Sequence, residues 1–237
     1  MRSQPALQSA RLVSCQGSFA CLQPAATSLR NYRKELDEAA LEELVGTIQE
    51  ESERLNRFIV NLLDMTRLES GALVPRVEPA DLGDVVGSAL ERAKKILGAH
   101  KVEIDLARPL SLLRLDPVLF EQVLFNLLDN AAKYAPAGSL IRVQARRKGA
   151  AVRLQVIDEG PGIPPADIDR IFDKFYRIRA ADRQRAGTGL GLAVCRGFVE
   201  AMGGSIVAAN RQERRGAVFA ITLPVAAEAT SAAETVA

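Results

Sequence analysis

Asn126-Leu-Leu-Asp-Asn-Ala-Ala-Lys-Tyr134, Asp158-Glu-Gly-Pro-Gly-Ile-Pro164 and Gly187-Thr-Gly-Leu-Gly-Leu192 follow one another in the second half of the chain. In the first segment Asn126 and Asn130 are four residues apart, and Lys133 lies one turn further. A helix therefore presents all three on one face. Carboxamide oxygens suit a hard cation such as Mg²⁺, which keeps water and phosphate as further ligands. A lysine adds a point charge for phosphate oxygens. A solvated helix face is the plainer alternative, although two asparagines inside an apolar helix run against propensity.

Asp158 ends an apolar strand and meets Gly160-Pro161-Gly162. A carboxylate there can accept a hydrogen bond from an exocyclic amine such as that of adenine, and the glycines let backbone approach a flat base. Taken alone, the segment is equally an ordinary strand-to-helix turn. Gly187, Gly189 and Gly191 lead into a helix whose bare N–H groups suit phosphate. No Gly-Lys-Ser/Thr follows and no βαβ dinucleotide unit surrounds the loop, so neither a Walker A site nor a dinucleotide fingerprint is present.

Outward from these segments, Asp116 with Pro117 after it is a helix N-cap, and the helix ends near Tyr134 before Pro136. Asp81 caps a second helix to about Leu97. Strands are expected at 102–106, 110–115, 140–147 and 152–157, the last two joined by a turn at Lys148-Gly149. A short helix is expected at 165–172, a polar, basic, mobile loop at 173–188, and a helix at 190–202 ended by Gly203-Gly204. A final hairpin pairs 205–209 with 217–223. Helices and strands alternate without a regular βαβ repeat, which predicts an α+β sandwich with helices on one face of a mixed sheet.

Upstream, Leu41, Ile48, Leu55 and Leu62 recur every seven residues, and Leu44, Glu51, Phe58 and Met65 form a second seam. This predicts one long helix over 35–70, stopped at Gly71. Two readings are open: a helix packed on its own domain, or a bundle helix that dimerises, the second being preferred because a long single apolar stripe needs a partner. Residues 1–24 show no sustained period, and 226–237 are rich in Ala, Thr, Ser and Glu; both are expected to be disordered.

The 237 residues carry 31 basic and 29 acidic side chains, a net charge of +2. That balance argues against nucleic acid or an anionic membrane as partner. No stretch approaches the roughly 20 apolar residues of a membrane span, and the N-terminal apolar residues are broken by Gln, Ser and Arg, unlike a secretion signal. Cys15, Cys21 and Cys195 form no C-x-x-C pair and are expected to be reduced thiols in the cytoplasm.

The ordered trio resembles the ATP-binding domain of sensor histidine kinases, within the wider gyrase–Hsp90–histidine kinase–MutL superfamily. Residues 126–134 resemble its N box, 158–162 its G1 box, 172–175 its F box and 187–191 its G2 box, and the wording is most similar to the KdpD-type potassium and osmosensing kinases. The likeness covers residues 77–224. It implies a Bergerat-type ATP-binding α/β sandwich (75–225), preceded by a remnant dimerisation and histidine-phosphotransfer hairpin (25–74). It implies Mg²⁺ on Asn130 with Asn126 beside it, phosphates near Lys133 and Tyr134, and adenine read by Asp158 with Gly160, Gly162 and Ile163. Lys174, Arg177, Gly187, Thr188, Gly189, Leu190 and Gly191 would complete the ATP site and its lid.

The same resemblance bears on chemistry. The superfamily's ATP hydrolases carry a water-activating glutamate four residues before the Mg²⁺ asparagine. Here that position is Asn126, and an amide is a poor base near neutral pH. The implied reaction is phosphoryl transfer to histidine, with a homodimer or a heterodimer with a full-length kinase, and a response-regulator receiver domain, as partners. Full-length members usually sit in the inner membrane with this part in the cytoplasm. Yet the family's His-Asp/Glu-Leu-Arg-Thr-Pro-Leu pattern is missing. Aligned back from Ala25, the acceptor falls at Val13 and its acidic neighbour at Ser14, and the single histidine of the chain is His100. ATP binding without self-phosphorylation is therefore the expectation. The alternatives are a regulatory dimerisation module, or another superfamily ATPase or protein serine kinase.

Overall fold

A computed structural model describes residues 18–32, 36–107, 112–178 and 188–226. The chain divides into two units, residues 1–63 and 64–237.

The first unit holds helix α1 (Ser18–Tyr32) and most of helix α2 (Glu38–Glu69). Helix α1 begins inside the segment expected to be disordered and carries Pro24 within it, while Val13 and Ser14 lie outside the described residues. Along α2 the expected seam is half-buried at Leu41, Leu44, Ile48, Leu55 and Phe58. Leu62 departs from it and is exposed, as are Val45, Ile59, Val60 and Leu63. The neighbouring Asn61 is instead buried, and its Oδ1 has no partner among the described residues.

The second unit begins with the last turns of α2. Gly71 stops the helix with a φ of 66°, and the N–H of Ala72 closes back on the carbonyl of Arg67 at 3.0 Å, the usual left-handed glycine stop. A two-stranded sheet, not foreseen as such, pairs β1 (Glu78–Ala80) antiparallel with β3 (Leu113–Leu115). The remaining strands are β2 (Lys101–Leu106), β4 (Leu140–Lys148), β5 (Ala151–Ile157), β6 (Ser205–Asn210) and β7 (Ala217–Pro224). They form one mixed sheet in the order β2-β4-β5-β7-β6, parallel only between β2 and β4.

Period-two alternation decides which face is covered. Ile141 and Val143 of β4, Leu154 and Val156 of β5, and Ile221 of β7 are buried, whereas Arg146 and Arg153 point to the open face. Helices α3 (Leu82–Leu97), α4 (Pro117–Tyr134) and α5 (Gly191–Ala201) supply the other half of the core, with Ala89, Leu127 and Phe198 fully buried. This is the expected α+β sandwich. The helix expected over 165–172 is instead a single 3₁₀ turn, Pro165–Asp167, followed by turns. Two consecutive prolines at 164 and 165 leave the segment short of backbone donors. Of the loop expected at 173–188, residues 179–187 lie outside the described residues, as does the tail from 227.

Two local devices fix the helices that carry the site. Asp116 caps α4: its Oδ1 accepts from the N–H groups of Val118 (3.0 Å) and Leu119 (3.1 Å), and its Oδ2 accepts from that of Arg76 at 2.8 Å. On α5, Gly197 leaves room for Leu68 of α2, whose Cδ1 would lie 2.6 Å from an added Cβ. Asp116→Ala removes a cap and leaves three part-buried backbone N–H groups without their acceptor, so it is expected to destabilise the domain by about 1–2 kcal/mol, read as a lower urea midpoint. Gly197→Val is expected to cost about 1–3 kcal/mol by overpacking, with partial recovery on adding Leu68→Ala.

Candidate nucleotide site

Helix α4 is the floor on which the three sequence segments converge. A Cβ added to Gly160 would lie 3.1 Å from the carbonyl oxygen of Tyr134, at the end of α4. One added to Gly191 would lie 3.9 Å from Cγ of Asn126, about two turns earlier. The loop at Gly160 and the loop at Gly191 thus meet the same helix at separate points. Phe175 joins the second loop: its N–H donates to the carbonyl of Gly189 at 2.9 Å, and a Cβ on Gly189 would lie 2.7 Å from the carbonyl carbon of Phe175. Gly189 has a φ of 72°, and Phe175, at 61°, is the one non-glycine residue of positive φ among the described residues.

Asp158 is 4% exposed at the end of β5. Its Oδ1 accepts from the N–H groups of Gly160 (2.7 Å) and Ala217 (3.1 Å), while Oδ2 has no donor among the described residues. Burial pushes its carboxyl above the ordinary carboxylate range, partly opposed by those two N–H groups and by Arg211. Around it stand residues that the sequence reading did not single out. Gly216 admits no side chain, since an added Cβ would lie 2.0 Å from the carbonyl oxygen of Asp158. Glu159 accepts from the N–H of Leu140 at 3.1 Å and pairs with Arg211 at 3.4 Å, and its carboxyl is lowered chiefly by that backbone N–H. Asn210 holds Ile163 by both backbone groups, accepting its N–H and donating to its carbonyl, each at 2.7 Å. A glycine closing the β6–β7 hairpin was the available signal for Gly216. Nothing in local spacing announces Asn210, 47 residues from Ile163.

At the other end, Asn126 is buried, and its Nδ2 reaches no oxygen or nitrogen acceptor among the described residues; the buried thiol of Cys195, a weak partner, is the group beside it. Such an orphaned donor is costly unless a ligand or water supplies an acceptor. Asn130 is half-buried, with no side-chain hydrogen bond among the described residues. An amide donor and an amide oxygen on one face fit a phosphate with a hard cation. Leu190 begins α5 without a side-chain cap, which leaves the first-turn N–H groups available to an anion. Beneath them Cys195 is fully buried, and burial pushes its thiol up to about 12, so it stays protonated at neutral pH.

The cations expected near phosphate are otherwise engaged. Lys133 pairs with Asp129, one turn back on α4, an i, i+4 pair visible in the sequence but not singled out. Lys174 pairs with Glu69 at the end of α2. Arg177 is exposed, Thr188 accepts weakly from the N–H of Leu190 at 3.4 Å, and Gly187 lies outside the described residues.

Residues 115–227 match the family described as histidine kinase-, DNA gyrase B-, and HSP90-like ATPase. The chain is 45% identical over 170 residues to the sensor protein KdpD of Escherichia coli, covering 71% of this chain and 18% of that protein. It is 36% identical over 208 residues to KdpD of Clostridium acetobutylicum, covering 87% of this chain and 23% of that protein. The solved Acinetobacter baumannii histidine kinase AdeS superposes with a TM-score of 0.67 at 25% identity, over 89% of this chain and 96% of that one. Through its ATP-binding catalytic domain the chain belongs to the sensor histidine kinase family. It spans less than a quarter of the length of these KdpD relatives.

Two measurements test the base end of the pocket. Gly216→Ala forces the Asp158 turn to move and is expected to weaken ATP binding on the order of tenfold in calorimetry. If Asp158 accepts an exocyclic amine more strongly as carboxylate than as acid, ATP affinity falls as pH is lowered through its raised pKa, at a pH above the ordinary 3.8. The sign for stability is opposite. A carboxyl raised in the folded state binds its proton more tightly there, so its contribution to stability declines as pH rises through the same window.

Proposed function

We propose that this chain binds Mg-ATP and presents the γ-phosphate to a histidine on another polypeptide, the transfer half of a sensor kinase. The observation that carries this reading is Asn126: a buried amide, not a carboxylate, lies against the glycine loop at Gly191. An amide does not take a proton from water near neutral pH, so hydrolysis is poorly served. Phosphoryl transfer depends mainly on positioning and charge neutralisation, and these the pocket can supply.

In this reading Asp158 accepts from the adenine amine. Gly160, Gly162 and Ile163 carry the base, with Gly162 in the left-handed region at a φ of 81°. Asn130 and Asn126 hold Mg²⁺ and its waters, and the ion would offset phosphate charge. Tyr134 and Lys133 flank the phosphates, Lys133 exchanging Asp129 for them. Gly187, Thr188, Gly189, Leu190 and Gly191 offer backbone N–H groups, and Lys174 and Arg177 belong to the lid. The γ-phosphoryl passes to an imidazole nitrogen of the acceptor, and ADP leaves. Residues 25–74 serve as the dimerisation hairpin, in a homodimer or a heterodimer with a full-length kinase, and a receiver domain takes the phosphoryl group onward. The KdpD relatives favour potassium or osmotic sensing as the setting, with the ATP domain on the cytoplasmic side.

His100 favours transfer in trans. It is half-buried, its Nε2 lies 3.2 Å from the carbonyl of Ala132, and its Nδ1 is buried without a partner among the described residues. It is poorly placed as a phosphoryl acceptor. With γ-labelled ATP, the chain alone is expected to remain unlabelled, while an added histidine-containing hairpin domain acquires label. Label on neither leaves a regulatory ATP-bound dimerisation partner, and free phosphate without transfer points to a hydrolase. Gly189→Ala, which drives a methyl into Phe175, and Asn130→Asp are each expected to weaken Mg-ATP binding. Unchanged affinity in both would sink the pocket assignment.

A further inference from the structure

Strand β2 is an edge of the main sheet, and its residues 101–104 are exposed on both faces, while Asp105 and Leu106 are half-buried. The N–H of Lys101 donates to Ser139 and that of Ala107 to Ala145, both toward β4. By strand alternation the N–H and C=O groups of Val102 and Ile104 therefore point away from the sheet, toward solvent. Their side chains share register with the buried Ile141 and Val143, yet they are 38% and 53% exposed. On the opposite face Glu103 pairs with Arg142 at 3.1 Å, and Asp105 pairs with Arg146.

An open apolar edge of this kind is normally blocked by a row of like charge. This row instead reads Lys101, Glu103, Asp105, with mixed sign. We propose that β2 is a self-association edge, on which the β2 strand of a second copy of this chain adds antiparallel. Backbone alternation requires residues of outward-facing N–H to oppose one another. Centring the pair on Glu103 meets that demand, with Val102 opposite Ile104 on each side. It also places Lys101 opposite Asp105 twice and overlaps five strand residues. The central glutamates face each other with their own Arg142 alongside. Moving the centre to Ile104 sets Glu103 against Asp105 twice. Moving it to Val102 runs the pairing into the turn before Lys101, where the N–H of His100 is committed to Leu97. Of these three registers, charge and backbone geometry favour the one centred on Glu103.

The two charged faces become continuous across the pair, and Val102 and Ile104 gain apolar neighbours on the helix side. This edge lies in the ATPase unit and is separate from the apolar seam of α2. Its test requires no nucleotide.

The test uses the full chain with Cys15→Ser and Cys21→Ser, keeping the buried Cys195. Directly opposed residues at a non-hydrogen-bonded antiparallel site have Cα atoms about 4.5 Å apart, within disulfide range. Glu103→Cys is therefore expected to give a disulfide-linked dimer under mild oxidation. Ile104→Cys, at a more exposed position, is expected not to link to itself, but to link to Val102→Cys when the two chains are mixed. Adding Lys101→Glu to the Glu103→Cys chain is expected to cut the yield by about fivefold, since two opposite-charge pairs become like-charge pairs. Equal self-linking at 103 and 104 would mean random collision and overturn the proposal. So would failure of both the 103 self-link and the mixed 102–104 link, or a yield indifferent to Lys101→Glu.

Discussion

A single buried carboxylate oxygen organises the site. Oδ1 of Asp158 takes the N–H of Gly160, which begins the glycine turn, and that of Ala217, which begins β7. One atom therefore locks the end of one central strand to the start of its neighbour and bends the chain sharply between them. The geometry leaves no space for alternatives: Gly160 is pressed between Asp158 and Tyr134, and Gly216 lies on the carbonyl of Asp158. The other carboxylate oxygen has no such duty. One oxygen of the side chain thus carries the structural duty, and burial raises what is at stake in it.

Around this fixed centre the charged groups are held loosely. Lys133 with Asp129, Lys174 with Glu69 and Arg211 with Glu159 are all at least partly exposed pairs. Pairs of this kind contribute only about 0–1 kcal/mol. A multiply charged phosphate chain can draw such lysines away at small cost, whereas the backbone cradle stays in place. The site thus combines a rigid backbone turn at Asp158 with cations whose present partners are easily exchanged.

The sequence made the fold legible where local chemistry was unambiguous. Asp81 and Asp116 announced helix starts, Gly71 and Gly203 announced stops, and the Lys148-Gly149 turn announced the β4–β5 hairpin. It was less informative where the decisive contact is remote. The clamp of Asn210 on Ile163, the fit of Leu68 over Gly197 and the β1–β3 ribbon all join residues tens of positions apart. Residues 165–172 misled because their composition permits a helix, while Pro164 and Pro165 and the tertiary ties of Tyr176 to Asp167 favour turns. In α2 the heptad count placed Leu62 on the covered seam, but the structure buries Asn61 and exposes Leu62. A repeat in sequence specifies a stripe, and the partner surface decides which part of it is covered.

Phe175 stands in a backbone conformation that a bulky side chain adopts only at a cost of about 1–3 kcal/mol, and with 61% of its surface exposed it recovers little of that by burial. What retains it is one hydrogen bond to Gly189, itself left-handed. One strained residue is thus braced against a glycine that adopts the left-handed region freely. The cost of the junction therefore falls on position 175 alone: a residue there that tolerates a positive φ would keep the same hydrogen bond to Gly189 with less strain.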